Sequence, residues 1–328
     1  MIISRTPFRM SFFGGGTDYP AWYRDEGGMV LSTTIDKYCY LTCRKLPPFF
    51  DYTMRIVYTK TELVGDIEEI KHPAVRETLR YLNLNGGLEI HHASDLPART
   101  GLGASSSFIV GLLHILRVFE GKASNKLDLA KTAIHIERDC IKEAVGSQDQ
   151  VATSVGGLNR ITFSGDDEIA VTPILLEPER IAALESHLML YFTGIFREAP
   201  VLAARQIKEI DHHRSDLREL RGMVDEAICL LDGSRSLDRF GELLHEAWQI
   251  KRNLAEGITN PTIEEIYSAA KEAGAVGGKI LGAGGGGFIL FFVRPEDQHR
   301  VRERLSKLIK VPFRFEYGGS HIVHNDYF

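Results

Sequence analysis

Two glycines and three serines near residue 100 have the residue types needed to bind a phosphate group. The segment from Leu96 to Ser107 reads L-P-A-R-T-G-L-G-A-S-S-S, and an apolar run typical of a buried helix follows it. The N-terminus of a helix offers free backbone N–H groups and the positive end of the helix dipole, which favour an anion. Serine hydroxyls can bond phosphate oxygens or ligate a hard cation. The pattern indicates a phosphate loop, with a helix N-cap made of small residues as the alternative.

This segment differs from two common nucleotide-binding patterns. It lacks the Lys that follows the last Gly of a Walker A loop. It also has Ser106 where the third Gly of a dinucleotide-binding fingerprint would stand.

Two carboxylates, Glu137 and Asp149, follow the loop in the sequence. Glu137 lies on the apolar face of a helix predicted over residues 125–145, and its neighbours three and four residues away cannot pair with it. Burying a carboxylate alone is costly, so Glu137 needs a tertiary partner or a metal, unless it reaches water at the edge of the stripe. Asp149 follows a break at Gly146, and its residue type alone is better explained as a cap for the next turn.

Two further glycine-rich segments could bring backbone close to a ligand. The first is Gly14-Gly15-Gly16-Thr17-Asp18, which by itself is a turn whose Asp caps a short helix over 19–24. The second runs from Gly277 to Gly287, just before a predicted strand. Glycines cannot fill a core and carry a large ordering cost, so this run favours close contact with a ligand.

The three glycine-rich segments resemble, in chain order, the three motifs of the GHMP kinases, the family of galactokinase, homoserine kinase and mevalonate kinase. The loop matches the family pattern Pro-x-x-x-Gly-Leu-Gly-x-Ser-Ser at every defined position. Within the sugar-kinase branch, Pro7 to Asp18 and Ser32 to Tyr38 most resemble the D-glycero-D-manno-heptose 7-phosphate kinases. Gly15 and Gly16 replace the Glu-His pair of galactokinases, which would leave room for a larger or differently shaped sugar.

The resemblance implies an α+β fold, the two-domain GHMP kinase fold, with the active site in the cleft between the domains. An N-terminal domain over residues 1–178 would bind ATP and Mg²⁺, and a C-terminal domain would span residues 179–328. The implied reaction is ATP-dependent phosphorylation of the anomeric hydroxyl of D-glycero-D-manno-heptose 7-phosphate to the 1,7-bisphosphate, on the route to nucleotide-activated heptose for surface polysaccharide. Alternatives are another sugar 1-kinase with a fucose-like substrate and a GHMP-fold sugar sensor without catalysis.

The same resemblance assigns roles to individual residues. The nucleotide phosphates would lie on the loop, at Pro97, Gly101, Leu102, Gly103, Ala104 (where many members have Ser), Ser105, Ser106 and Ser107. Ser105 and Glu137 would hold Mg²⁺. Asp149 would accept the proton of the sugar hydroxyl or orient that hydroxyl, and Arg9 would hold Asp149 and stabilise developing charge.

Substrate contacts are expected from both halves of the chain. The sugar would contact Gly15, Gly16, Thr17, Asp18, Thr193, Gly194, Gly284 and Gly285. Its own phosphate needs a cation, and Arg suits phosphate geometry. Arg197, near a predicted helix start, is the first candidate and Lys279 the second, while an exposed Arg197 without a ligand is the plain alternative.

Composition and charge exclude several classes of protein. Hydrophobic residues make up 44% and charged residues 25% of the 328 residues, an ordinary globular mix. The net charge of −5 and the lack of a long basic run argue against nucleic acid as a partner. Four scattered cysteines without zinc spacing indicate reduced thiols. Without a membrane-length apolar run or room for a signal peptide before the first motif, we expect a cytoplasmic protein with no membrane partner. The sequence leaves a homodimer open.

The periodicity of the chain predicts the elements that must position these residues. Trp248 is expected to pack in the core. The predicted strands cover 2–13 (broken at Pro7), 29–45, 54–59, 88–92, 156–163, 187–193, 288–293 and 312–317. The predicted helices cover 19–24, 73–82, 125–145, 261–273, 295–309 and most of 198–255, besides the helix that follows the phosphate loop, and 173–185 holds the expected domain boundary.

Overall fold

The structure is a computed structural model, and it describes residues 1–196, 199–233 and 236–327. The strands are β1 (Ile2–Phe13), β2 (Gly28–Lys45), β3 (Met54–Val57), β4 (Thr61–Val64), β5 (Leu88–Ser94), β6 (Asn159–Ser164), β7 (Glu168–Pro173), β8 (Leu188–Phe192), β9 (Ala275–Ile280), β10 (Phe288–Val293), β11 (Ile309–Val311), β12 (Phe315–Glu316) and β13 (His321–Asn325). The helices are α1 (Pro20–Glu26), α2 (Pro73–Leu82), α3 (Ala104–Phe119), α4 (Lys126–His135), α5 (Gln148–Val155), α6 (Pro178–His187), α7 (Ala199–Glu209), α8 (Arg214–Leu231), α9 (Asp238–Lys251), α10 (Pro261–Glu272) and α11 (Gln298–Arg304).

Within the described residues, nine strands form one mixed sheet built around β1 and β2. Its main order is β13-β1-β2-β5-β3-β4, while β12 and β6 pair with other parts of β2, and β7 pairs with β6. β1 and β2 are antiparallel from Ile2 opposite Cys43 to Phe13 opposite Leu31. The buried helix α3 packs against both strands, which places its N-terminus beside the middle of β1.

The second sheet, again within the described ranges, has four antiparallel strands in the order β11-β8-β10-β9. Helix α9 lies directly on β9. A Cβ atom on Gly277 would be 1.9 Å from the carbonyl oxygen of Gly241 in α9, so only glycine allows this helix and strand to approach so closely. Gly277 therefore belongs to a packing contact and not to a ligand site, which corrects the expectation for this end of the glycine run.

The two sheets share one hydrophobic core at the end of β1. Phe12 and Phe13 contact the ring of Phe240 in α9 edge to face, with centroids 5.6 and 5.2 Å apart. Trp248 is fully buried, as expected. None of the described helices is long and apolar enough to cross a membrane.

Several predicted elements differ from the structure. Pro7 does not break β1, because the pairing with β2 absorbs it as a register shift between Pro7 and Phe8. The helix predicted over 125–145 ends early: α4 continues only through a π-helical turn, Ile136–Cys140, and no further helix follows before α5. The segment predicted as a boundary contains helix α6.

The chain crosses from the first sheet to the second once and then returns. The first crossing lies between β7 and β8, and we keep the boundary at 178/179 as a proposal for it. β12 and β13 then pair with β2 and β1, so residues 315–325 complete the first sheet. The periodicity did not predict β13.

Candidate active site

The predicted phosphate loop is tied to the middle of β1 by one arginine. The backbone N–H of Arg9 donates to Leu102 O at 2.9 Å, and its Nη1 donates to Gly101 O at 2.7 Å. Gly103 is the N-cap of α3 with φ of +76°, and a Cβ there would lie 3.1 Å from the Arg9 side chain. Glycine is required at this position because both the left-handed backbone and the close arginine disfavour a side chain.

The three serines after this loop have different roles. Ser105 is exposed and donates to Glu137 Oε1 at 2.7 Å, whereas the buried Ser106 donates to Glu137 Oε2 at 2.9 Å. The fully buried Ser107 donates its hydroxyl to Pro7 O at 2.9 Å and its N–H to Gly103 O at 2.8 Å. Both of its donor groups are used inside the protein, so Ser107 supports the loop and does not face a nucleotide, contrary to the expectation.

Glu137 is fully buried at the π-helical turn and faces the start of α3. Besides the two serine hydroxyls it accepts a hydrogen bond from Gln150 Nε2. Burial raises the pKa of this carboxyl to about 7, although its three hydrogen bonds act in the opposite direction. No arginine or lysine of the described residues forms an ion pair with it. The tertiary partners that the sequence required are therefore neutral donors.

The family resemblance implies a Mg²⁺ ion, and the residues at Glu137 fit one. A carboxylate with only neutral partners lacks the positive charge that burial calls for, and the adjoining Ser105 hydroxyl adds a second hard oxygen ligand. Within the described ranges, no group of three or more His, Cys, Asp and Glu side chains could hold a metal ion. A site with one carboxylate and one hydroxyl agrees with Mg²⁺, which keeps waters and binds substrate phosphates.

Asp149 accepts a bidentate hydrogen bond from Arg9. Arg9 Nε donates to Oδ1 and Nη2 to Oδ2, each at 2.7 Å. The arginine side chain is 3% exposed, whereas the Asp149 side chain is 28% exposed and can reach a ligand. Asp149 lies in the first turn of α5, and its carboxylate pairs with the arginine, so it is not merely the cap that its residue type suggested. The guanidinium thus contacts both the phosphate loop and this carboxylate.

Asp18 is a second carboxylate beside Asp149. It accepts hydrogen bonds from Gly16 N at 3.0 Å and Gln148 N at 3.3 Å. Burial, and next the charge of Asp149, raise the pKa of the Asp18 carboxyl. None of the described arginines or lysines forms an ion pair with it. The N-cap of α1 is Tyr19, so Asp18 does not cap that helix.

The glycine turn before Asp18 leaves room at one position only. A Cβ on Gly15 would have only the Ser11 hydroxyl within 4 Å, at 3.6 Å. A Cβ on Gly16 would lie 3.2 Å from Leu217 of α8. The space expected at both glycines is therefore present at Gly15, while at Gly16 the leucine occupies it. Thr17 is fully buried and donates its hydroxyl to backbone carbonyls.

The second sheet reaches the phosphate loop through the end of the glycine run. Phe288 N donates to Thr100 O at 3.1 Å, and a Cβ on Gly287 would be 2.1 Å from the same oxygen. Thr193 N donates to Gly287 O at 2.9 Å. Gly194, next to it, has φ of +77° and open space around it. These contacts bring the predicted residues Thr193 and Gly194 to the phosphate loop.

Gly284 and Gly285 pack against the loop that follows α9. A Cβ on Gly284 would lie 2.7 Å from Ile258 O, and Gly285 N donates to that oxygen at 2.7 Å. Gly285 also has left-handed backbone, with φ of +76°, so both positions favour glycine for structural reasons.

The two candidate cations for a substrate phosphate have different outcomes. Lys279 is 3% exposed and donates to Phe12 O at 2.6 Å. Burial, followed by the charges of Lys251 and Arg9, lowers the pKa of its ammonium well below the ordinary value. Arg197 lies outside the described residues.

Two residues of this site had no assigned role in the sequence. Gln150 contacts Glu137 across thirteen residues and a helix break, and no local pattern announces such a pair. Thr100 lies inside the recognised loop, yet its contact with Gly287 depends on the second sheet. The contacts of Gln150 and Thr100 join residues that are distant in the sequence, so periodicity and motif spacing cannot predict them.

Comparison with known proteins gives a consistent family. Residues 69–157 match the family model described as GHMP kinases N terminal domain, and residues 226–311 match GHMP kinases C terminal. The D-glycero-alpha-D-manno-heptose 7-phosphate kinase of Campylobacter jejuni is 30% identical over 93% of this chain and 93% of its own. The fucokinase/GDP-fucose pyrophosphorylase of Arabidopsis thaliana is 24% identical over 92% of this chain, which spans 31% of that protein.

Solved structures have the same fold. A crystal structure described as a D-glycero-D-manno-heptose 1-phosphate kinase from Bacteroides thetaiotaomicron has a TM-score of 0.80, with 24% identity over 99% of both chains. A putative sugar kinase from Campylobacter jejuni has a TM-score of 0.69 and 26% identity, covering 98% of this chain and 97% of its own.

Proposed function

The chain belongs to the GHMP kinase family, and we propose that it transfers the γ-phosphoryl group of ATP to the anomeric hydroxyl of D-glycero-D-manno-heptose 7-phosphate. Its family and its relatives show that the chain is an ATP-dependent sugar kinase. The heptose 7-phosphate substrate is proposed from the relative in Campylobacter jejuni, which spans nearly the whole chain. We further propose that the 1,7-bisphosphate product serves the synthesis of nucleotide-activated heptose for surface polysaccharide.

The observation that carries this proposal is the position of the Arg9 guanidinium. It holds both oxygens of Asp149 at 2.7 Å and, through Nη1, a carbonyl of the phosphate loop at 2.7 Å. Phosphoryl transfer depends mainly on positioning and on stabilising charge. A single rigid group that joins the proposed base to the proposed phosphate site meets the first requirement.

Each remaining residue has a role that its environment supports. Asp149, the more exposed partner of the pair, accepts the proton of the sugar hydroxyl or orients that hydroxyl. Ser105 and Glu137 would hold Mg²⁺, which would neutralise charge on the nucleotide phosphates. Asp18 accepts hydrogen bonds from sugar hydroxyls, because two backbone N–H groups and no described cation use its carboxylate, which leaves acceptor positions free.

The cation for the substrate's own phosphate stays a proposal. Lys279 already donates to a backbone carbonyl and is buried, so Arg197 remains the first candidate on its residue type and position in the sequence. Replacing Arg197 by Ala should raise the apparent KM for the heptose phosphate by about tenfold or more and leave the KM for ATP unchanged. An unchanged KM for the sugar phosphate would exclude this assignment.

An unphosphorylated sugar such as fucose is the second candidate substrate. Two fucokinase relatives, from Arabidopsis thaliana and Bacteroides fragilis, are 24% and 25% identical over 92% and 93% of this chain. A fucose-type substrate needs no cation for a second phosphate, and the same Asp149 and Arg9 would serve it.

ATP turnover should be measured with heptose 7-phosphate, the unphosphorylated heptose, fucose and galactose. Asp149→Asn is the matched variant, because it keeps the shape of the side chain and removes its charge. Turnover with the heptose phosphate alone, lost in the variant, is the expected result. Turnover only with an unphosphorylated sugar would support the kinase activity but exclude heptose 7-phosphate as the substrate. Sugar binding without any turnover would contradict the catalytic roles and favour a sensor.

A further inference from the structure

The acidic turn between β6 and β7 lies outside the recognised motifs, and its sequence suggests only a solvated loop. Asp166 and Asp167 both have left-handed backbone, with φ of +60° and +56°. Asp166 is exposed and has no hydrogen bond or ion pair within the described part of the chain. Asp167 is half-buried and contacts several elements, so two adjacent aspartates in the same backbone conformation differ in their surroundings.

The Asp167 carboxylate accepts hydrogen bonds from α1 and from the π-helical turn. Tyr23 OH donates to Oδ1 at 2.8 Å, and Arg24 donates to both oxygens, at 3.1 and 2.8 Å. Arg138 Nη2 donates to Oδ2 at 3.2 Å. Arg24 and Tyr23, followed by Arg138, hold the pKa of Asp167 down at about 2, so this carboxylate is charged at neutral pH.

A short chain of contacts leads from Asp167 to the proposed sugar site. The Tyr23 hydroxyl also lies 3.2 Å from Ser147 Oγ. Ser147 N donates to Asp18 O at 2.9 Å, and the next amide, that of Gln148, donates to the Asp18 carboxylate at 3.3 Å. The tyrosine ring itself is buried and stacked on Phe163. This tyrosine therefore supports the start of α5, which carries Asp149, through its contact with Ser147.

A second path leads from Asp167 to the proposed metal site. Arg138 directly follows Glu137 in the π-helical turn and pairs with Asp167 and with Asp139. A half-buried guanidinium needs a carboxylate partner, because burial disfavours its charge. The orientation of the turn that presents Glu137 therefore depends in part on Asp167.

We propose that Asp167 is a positioning residue for phosphoryl transfer, which holds α1, the π-helical turn and the start of α5 in the arrangement that sets Asp18, Glu137 and Asp149. It contacts none of these three side chains and acts through its neighbours. The kinetic consequence of this role rests on the proposed function, whereas the structural consequence does not.

The structural consequence is tested by amide hydrogen exchange on the full-length protein without ligands. Asp167→Asn keeps the shape of the residue and tolerates the left-handed backbone, but removes the charge that binds two arginines. We expect the amides of Ser147 and Gln148 to exchange about tenfold faster or more, with the amides of β10 unchanged. Asp166→Asn, the same change one residue away, should alter neither set. The proposal would be overturned if exchange became faster throughout the protein. It would also be overturned if the exchange rates of the Ser147 and Gln148 amides did not rise.

The kinetic consequence is tested with the best sugar substrate found for the unaltered enzyme. Asp167→Asn should lower kcat by about tenfold and change the KM for ATP by less than about twofold, because Asp167 does not contact the phosphate loop. A kcat within about twofold of the unaltered enzyme, in a variant shown to be folded, would overturn the positioning role. Tyr23→Phe, which removes one hydroxyl and keeps the ring, makes the same test should Asp167→Asn fail to fold.

Failure of this inference and failure of the proposed function are distinguishable. If the unaltered protein phosphorylates none of the sugars, the proposed function is wrong, and the exchange experiment still decides whether Asp167 orders the start of α5.

Discussion

Replacing Glu137 by Gln should remove a loss of stability that the ligand-free protein suffers as pH rises. Burial raises the pKa of this carboxyl from 4.5 to about 7. A carboxyl whose pKa is higher in the folded state contributes its stabilisation fully below pH 4.5 and loses it as pH rises through about 7. At ~1.4 kcal/mol per pKa unit, the gap between the two values corresponds to about 3 kcal/mol in the free energy of unfolding.

Glutamine should fit this site without leaving an unpaired polar group. The hydroxyls of Ser105 and Ser106 can rotate to accept as well as donate. The Gln150 side-chain oxygen is buried without a hydrogen-bond partner, so it can accept from the new amide. The variant should therefore keep the fold, and it should differ only in having no ionisable group at residue 137.

The assay is urea unfolding in EDTA from pH 4.5 to 8.5, followed by the fluorescence of the buried residues Trp22 and Trp248. Relative to the unaltered protein, Glu137→Gln should gain about 3 kcal/mol across this range. Glu265→Gln, an exposed glutamate on α10, is the control and should show no such gain. Parallel pH profiles for Glu137→Gln and the unaltered protein would refute the account of a buried, unpaired carboxyl.

Magnesium should reduce the difference in stability between the two proteins at high pH. The metal needs the carboxylate, so Mg²⁺ with a nucleotide should stabilise the unaltered protein at pH 8.5 by more than it stabilises Glu137→Gln. Equal stabilisation of both proteins would separate Glu137 from the metal site while leaving its titration intact.

Three further substitutions test contacts of the candidate active site. Gly287→Ala should lower the thermal midpoint of unfolding by about 5 °C more than Gly194→Ala does. Both positions have left-handed backbone, but only a Cβ at residue 287 would clash with Thr100 O. Equal shifts would show that this contact does not constrain residue 287. Asp18→Asn should raise the KM for the sugar, because its amide nitrogen cannot accept the hydrogen bond that one carboxylate oxygen takes from Gly16 N or Gln148 N; an unchanged KM would remove Asp18 from the sugar site. Arg9→Lys keeps the charge without the bidentate contact and should lower kcat by about tenfold to a hundredfold, so an unchanged kcat would remove the arginine from the mechanism.

The parts of the site that depend on local pattern could be predicted from the sequence. The phosphate loop was recognisable because its glycines and serines lie directly before the apolar run of the helix whose free N–H groups they expose. Glu137 was recognisable as a buried carboxylate in need of partners, since its helix neighbours could not serve. The opening strand and the strand β10 followed from their composition.

The parts that depend on distant contacts could not be predicted. Ser107 resembles its two neighbours, and only the carbonyl of Pro7, a hundred residues earlier, shows that its hydroxyl serves the fold. Gly277 resembles a ligand-binding glycine until α9 is placed over it. Whether Asp149 is a cap or a site residue depended on Arg9, because the two are joined only by tertiary structure.

The last strands of the first sheet have a consequence for how the chain folds during synthesis. β1, which carries Arg9, pairs on one side with β13, whose residues lie more than three hundred positions later. A growing chain exposes this edge of β1 until residue 325 has left the ribosome, and unpaired strand edges are prone to aggregation. The intervening residues of the second sheet can fold first, since within the described part of the chain their strands pair only with one another. A nascent chain therefore completes the sheet that carries Arg9 only after residue 325 has been synthesised, and chaperones that shield strand edges should affect its yield more than its activity.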